Sequence, residues 1–261
     1  MAAYWDEAAM QRVLVMPSIL AIGDSWFWYP FPGGSLIRYL GPIVERKEHT
    51  ILAYGMNGAE AFDYIDGKYK DRITGALRRY GNSLSAVFIS GGGGNDFAGF
   101  NDMRPLLALD CSGAQSAADC FRSGDGGLGH FLERMDDHYR RLIGLIYTHT
   151  SLDCRILMHS YDYAIPDGRG VAGKAGWLKP ALVDAGVPEA LQRDCVRYLI
   201  DAFHAMLGRV AAGDPAHLLI VDSRGTLAEK DWANELHPKG KGFKKIAKER
   251  WKPVLKGAGL A

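Results

Sequence analysis

Four short blocks carry the residue types of a nucleophilic site. Gly23-Asp24-Ser25 ends the apolar run Ser18–Ile22, Asn57-Gly58 follows Thr50–Tyr54, Gly94-Asn95-Asp96 follows Ala86–Ser90, and His237-Pro238 lies near the C-terminus. A serine hydroxyl needs a base to take its proton, and histidine is the usual base near neutral pH. The oxyanion formed on attack needs N–H donors, from backbone or from an amide side chain. Ser25 is the candidate nucleophile and His237 the candidate base. Gly58 can present a backbone N–H with no side chain in the way, and Asn95 offers a neutral amide. A histidine before proline is biased to extended backbone, which keeps the ring out of a helix. Each block alone is also what an ordinary turn uses. Together they point to a serine hydrolase of the ester-cleaving kind. The glycine run 91–94 lacks the Gly-Lys-Ser/Thr ending of a phosphate loop and the spaced glycines of a dinucleotide fingerprint. His159, at the end of another apolar run, is a second and weaker candidate for a site role.

These blocks need elements to position them. Five short apolar runs read as strands: Ser18–Ile22, Thr50–Tyr54, Ala86–Ser90, Arg155–His159 and His217–Val221. Continuous Ile, Leu and Val runs suit strands buried on both faces, as in parallel sheets. Helical periodicity fills the gaps at Leu36–Arg46, Tyr69–Tyr80, Phe131–His149, Pro188–Val210 and Lys241–Leu255. The alternation predicts one α/β domain over residues 1–261, a parallel sheet with helices on both faces. Two segments rich in Gly, Ser, Asp or Pro, about 101–129 and 162–188, leave the C-terminal ends of strands. An open α/β sheet places its ligand crevice there, so they are expected to wall or cap the site.

The aromatic run Trp26-Phe27-Trp28-Tyr29-Pro30-Phe31-Pro32 follows the serine and could line a substrate site or pack in the core. Tyr161-Asp162-Tyr163 also lies at the crevice end. Trp26, Tyr161 and Asp162 are candidate substrate contacts.

With 261 residues, 48% apolar and 23% charged, the chain is ordinary for a globular protein. A formal net charge of +1 implies no field for gathering nucleic acid or acidic membrane, and the basic cluster Lys239–Lys252 reads as a solvated helix face. No apolar stretch has the length of a membrane span. The N-terminal residues lack a basic start followed by an apolar segment, which favours the cytoplasm. Four cysteines are too few for a disulfide framework and show no metal-ligand spacing. Cys154 and Cys195 read as buried apolar residues, whereas Cys111 and Cys120 bracket a short polar segment where a local disulfide is feasible. That bridge would argue for an oxidising compartment and export without a cleaved leader.

The order Gly-Asp-Ser, Gly, Gly-x-Asn-Asp and His-Pro resembles the SGNH (GDSL-type) hydrolase superfamily, over a span from Gly23 to Pro238. The resemblance implies a three-layer α/β/α sandwich with a five-stranded, flavodoxin-like parallel sheet. It also implies hydrolysis of esters, thioesters or acetylated sugars without metal or cofactor, on a small-molecule ester or an acylated sugar or lipid. It makes Ser25 the nucleophile and His237 the base, with the N–H groups of Ser25 and Gly58 and the amide of Asn95 as oxyanion donors. Two positions depart from the pattern. Trp26 stands where the family often has Leu. Asn234 stands where it usually has Asp, three residues before the histidine. Either Asn234 orients His237, or Asp231 or Glu235 supplies a charge, or a backbone carbonyl does the orienting. A non-catalytic binding module of the same fold, or an acyltransferase using the same residues, is the alternative function.

Overall fold

The computed structural model describes residues 2–28, 34–92, 94–98 and 103–261. In chain order these form β1 (Ala3–Tyr4), α1 (Glu7–Arg12), β2 (Ile19–Gly23), α2 (Leu36–Val44), β3 (Ile51–Gly55), α3 (Ala61–Ile65), α4 (Lys70–Tyr80), β4 (Ala86–Ser90), α5 (Asn95–Ala98), α6 (Leu128–His149), β5 (Arg155–His159), α7 (Leu178–Asp184), α8 (Glu189–Ala211), β6 (Leu218–Val221), α9 (Gly240–Ile246) and α10 (Lys252–Gly257). A π-helical turn, Ala247–Trp251, joins the last two helices.

All strand pairs are parallel, in the order β1-β3-β2-β4-β5-β6. The five expected strands are present in flavodoxin-like order. The sixth, β1, adds two residues at the edge beside β3. It is too short to show as a hydrophobic run and is held by pairing, not by propensity. Strands β2 and β4 are buried along their whole length, as their unbroken Ile, Leu, Val and Phe content requires.

Helices pack on both faces. On one, α3 and α4 pack against α6, and α6 against α8; on the other, α2 packs against α9, the π turn and α10. The π turn directs Trp251 inward, where its ring lies 5.1 Å from Phe88 and 5.6 Å from His159. No helix among the described residues is long and apolar enough to cross a membrane.

The glycine-rich and proline-rich excursions are more ordered than their composition suggests. The described part of the first closes on itself through the Leu107–Phe121 bridge and packs on the second, where α7 lies. Arg104 pairs with Asp184 at 2.6 Å, and the Cys111 N–H donates to the Ala185 carbonyl at 2.8 Å. The local disulfide that the spacing of Cys111 and Cys120 makes feasible is not formed; both are buried free thiols. Backbone pairing, including Ala108 N to Cys120 O at 2.9 Å, already holds these segments together. The Cys111 thiol lies 3.6 Å from the Cys120 carbonyl, and burial, with the neighbouring Cys120, pushes it up to about 11.

Trp251 ties the π turn to the centre of the sheet. Truncating it (Trp251→Ala) should cost about 3–5 kcal/mol of folding stability, read from the midpoint of chemical denaturation.

Candidate active site

Parallel registry brings the ends of β2, β3 and β4 level: Gly23 pairs with Gly55 on one side and Ser90 on the other. The turn that carries Ser25 follows at once. Asp24 takes the Trp26 N–H on its side-chain oxygen at 2.9 Å, while its carbonyl accepts from Phe27 and Trp28. Gly23 is required by crowding, because a Cβ there would lie 2.5 Å from the Phe27 ring and 2.9 Å from the Ser90 carbonyl. The chain therefore bends sharply and leaves Ser25 at the crevice.

The second half of the pair comes from a tight loop between β6 and α9, closed by the Trp232–Pro238 bridge and by Ala233 N donating to His237 O at 2.8 Å. His237 Nε2 lies 2.8 Å from Ser25 Oγ, across 212 residues of sequence. His237 Nδ1 lies 3.0 Å from Asn234 Oδ1. That oxygen also accepts the backbone N–H groups of Leu236 at 3.0 Å and His237 at 2.9 Å. Backbone nitrogens can only donate, so they fix which end of the amide faces the ring. Nδ1 then carries the proton, and Nε2 is left as the acceptor for the serine hydroxyl.

The other two candidates for orienting the base are committed elsewhere. Asp231 closes a turn by accepting the Ala228 N–H at 3.0 Å. Glu235 is fully buried, and its carboxylate takes four backbone N–H groups: Gly168 at 2.8 Å, Trp177, Leu178 at 2.7 Å and Lys179 at 3.0 Å. It anchors the second excursion and the start of α7 to the histidine loop. A Cβ on Gly176 would run into this carboxylate at 2.2 Å.

Among the described residues, the backbone N–H groups of Ser25 and Gly58 have no acceptor. Gly58 has φ +76°, the left-handed region that favours glycine, and open space around its Cα. Asn95 spends one amide hydrogen on the Ala59 carbonyl at 3.0 Å and keeps the other. Its neighbour Asp96 accepts the Ala61 N–H through both oxygens. The Gly58 loop is thus pinned to the β4 loop, and through Met56 N to Gly23 O (2.8 Å) to the nucleophile strand.

Trp26, Tyr161 and Asp162 border the small space beside Ser25, but their polar atoms are occupied by protein. The Trp26 indole N–H donates to the Leu236 carbonyl at 3.0 Å, joining the Ser25 turn to the His237 loop. The Tyr161 hydroxyl donates to Asp24 at 2.7 Å, from a residue with φ +63°. Asp162 accepts from the Tyr163, Gly225 and Leu227 N–H groups at 2.7, 2.6 and 2.6 Å, tying the β5 loop to the β6 loop. They brace the site, and only their carbon faces are open to a ligand. His159 is fully buried between Ser90 and Ser223, and burial pushes it down to about 3, a neutral brace with no path to a substrate. Residues 29–32 of the aromatic run, Gly93 and the start of the first excursion lie outside the described residues. No group of three or more His, Cys, Asp or Glu among the described residues is placed to hold a metal ion.

No family model matches the chain, and no curated protein matches it in sequence. Solved structures do match. The chain is similar to a family 3 carbohydrate esterase from Clostridium thermocellum, with a TM-score of 0.53 at 13% identity, over 93% of this chain and 98% of that one. It is also similar to phospholipase A1 from Streptomyces albidoflavus NA297, with a TM-score of 0.51 at 16% identity, over 94% and 100%. The fold is the SGNH-hydrolase fold.

Within the SGNH fold, this chain's departures shape its electrostatics. His237 is 5% exposed, and burial alone pushes it down from 6.5 to about 4. Asn234, being neutral, contributes no charge to lift it back. The neutral imidazole therefore persists as pH falls to about 4, below which imidazolium forms. Folding stability from the neutral imidazole is present above 6.5 and is lost as pH falls toward 4. Asp24 and Asp96 have the opposite sign. Burial raises both to about 7, so their contribution is full below 3.8 and is lost as pH rises through 7.

Two outcomes follow from this geometry. The acid limb of kcat/KM against pH should lie near 4 instead of near 6.5, and Asn234→Asp should move it upward, as seen in a pH profile with an uncharged ester. Trp26→Phe keeps a ring but loses the N–H to Leu236. It should lower kcat by about tenfold, with the fold retained by circular dichroism, since one lost buried hydrogen bond is worth about 1–3 kcal/mol.

Proposed function

We propose that this chain is a serine ester hydrolase of the SGNH superfamily that works through an acyl-enzyme on Ser25. The observation that carries the reading is the Ser25 Oγ to His237 Nε2 contact, with Nδ1 held by Asn234. His237 takes the hydroxyl proton as Oγ bonds to the ester carbonyl carbon. The tetrahedral oxyanion is met by the N–H groups of Ser25 and Gly58 and by the remaining amide hydrogen of Asn95. Imidazolium then returns its proton to the leaving alcohol as the C–O bond breaks. Water repeats the sequence, giving up a proton to Nε2 and releasing the carboxylic acid.

Asn234 acts by geometry. An amide oxygen holds the imidazole in the required tautomer and angle, while the stabilisation a carboxylate gives imidazolium is missing. The alternative of a non-catalytic binding module rested on this substitution alone. An imidazole already in contact with the hydroxyl and held on its far side favours turnover instead. The solved esterases and the phospholipase of the same fold add support for ester chemistry.

A fluorophosphonate probe should label the wild type on Ser25 and leave Ser25→Ala unlabelled. Asn95→Ala should lose about a hundredfold in kcat on nitrophenyl acetate with little change in stability. An unlabelled wild type, or an Asn95→Ala variant of full activity, would overturn the assignment.

A further inference from the structure

A cavity of about 490 Å³ lies along one side of α2 and borders none of Ser25, Asn95 and His237. That volume is in the range of a small-molecule site. Ser35, Arg38, Gly41 and Glu45 border it at helical spacing, so it follows α2 for about 15 Å. Ala3 of β1 faces Gly41, where a Cβ would lie 3.2 Å from the Ala3 Cβ. Trp5 and Trp28 complete the apolar part of the wall. The Trp5 indole N–H is spent on the Phe27 carbonyl at 3.1 Å, which leaves its ring to the cavity. Trp28 is 39% exposed, and its backbone is wedged against Gly55, where a Cβ would lie 2.6 Å from the Trp28 nitrogen.

The polar groups of this cavity gather at the start of α2. Ser35 is the N-cap residue and is 4% exposed, yet its hydroxyl bonds neither the helix nor any other group among the described residues. An N-cap serine ordinarily accepts a first-turn N–H. The Ile37 N–H, in that first turn, also has no acceptor among the described residues. Arg38 folds back toward the same end: a Cβ built on Gly34 would lie 3.3 Å from its Cδ and 3.8 Å from its Nη1. No carboxylate pairs with this guanidinium among the described residues. A buried hydroxyl, a helix N–H and a cation thus stand unspent at one end of the cavity, with the positive end of the helix dipole behind them. Glu45 borders the other end, so a negative group of a ligand belongs at the Arg38 end.

We infer that this cavity binds an aliphatic amphiphile with a single carboxylate, its head on Arg38 and Ser35 and its chain between α2 and the Trp5 and Trp28 rings. Guanidinium and carboxylate match as paired donors and acceptors. The chain covers apolar wall that water would otherwise meet. The length of the cavity along α2 suits a chain better than a compact ring. The site stands apart from Ser25, and its occupancy does not depend on ester turnover.

The test is isothermal titration of the full chain with sodium dodecanoate below its micelle concentration, on wild type, Arg38→Gln, Arg38→Glu and Ser35→Ala, with circular dichroism of each. Arg38 is exposed, so its replacement leaves the core intact. Wild type should bind saturably, with one dodecanoate per chain. Arg38→Gln should weaken binding by about tenfold or more, as expected for losing a hydrogen bond between charged groups, and Ser35→Ala by about threefold. Arg38→Glu should weaken it further than Arg38→Gln. Dodecyltrimethylammonium, with the same chain and the opposite charge, should bind wild type at least about tenfold more weakly. Dodecanoate brominated at its far end should quench indole emission, and Trp28→Phe should lose part of that quenching. No saturable binding of dodecanoate would overturn the inference. So would equal affinity in wild type and a folded Arg38→Glu, equal affinity for the ammonium amphiphile, or quenching that Trp28→Phe leaves whole. Fluorophosphonate labelling of Ser25 is a separate readout, so failure here leaves the hydrolase reading standing, and an unlabelled Ser25 leaves this site standing.

Discussion

One oxygen atom, Asn234 Oδ1, organises the His237 imidazole. It receives two backbone N–H groups of its own loop and the imidazole N–H, so the turn that shapes the loop also sets the ring's tautomer and angle. The dependence runs outward from there. The ring can face Ser25 only if this loop and the β2 turn are held together, and the Trp26 indole on Leu236 O does that. The β2 turn in turn needs Asp24, and Asp24 is held by Tyr161 from the β5 loop. A charge at residue 234 would add attraction to the imidazolium, but the geometry is already determined by directional hydrogen bonds.

The same device recurs around the crevice. Asp24, Asp162 and Glu235 are buried carboxylates and Asp96 is a partly buried one, and their hydrogen-bond donors are mostly backbone N–H groups on neighbouring loops, with no lysine or arginine among them. A carboxylate oxygen can accept several N–H bonds at once, which suits it to joining loops that share no secondary structure. Burial opposes its charge, and at Asp24, Asp96 and Asp162 the carboxyl is raised in consequence. Polar ties, and not apolar contact alone, hold the loops at the rim of the sheet together.

The five main strands were legible because each is a largely apolar run followed by Gly, Asp or Ser, and three of the four chemical blocks were legible because they follow those ends, while His237-Pro238 was legible by its residue types in a loop near the C-terminus. Edge strand β1 was not, since two residues carry no period. Helix α7 was hidden in a segment whose Gly and Pro content reads as loop; its start is capped by Glu235, 57 residues away from Leu178, and no local signal could reveal that. Tyr161 and Asp162 were recognised as belonging to the crevice, yet their polar atoms serve neighbouring loops. Polar residues at a strand end look alike in sequence whether they face a ligand or a backbone. The Cys111–Cys120 pair shows the same limit, because spacing allowed a bridge while the fold directs both thiols into packing.

The Glu235 nest has an implication for how such a protein can diversify. Glu235 stands two residues from the imidazole and grips residues 168 and 177–179, so hydrogen bonds tie the flank of the crevice directly to the His237 loop. Lengthening or exchanging the chain at either grip point would disturb the placement of His237 along with the flank of the crevice. Between the grips, Arg169 and Ala175 form a small bridge around an outward-facing bend. That bend is where new sequence can be grafted with least effect on the Ser25–His237 contact.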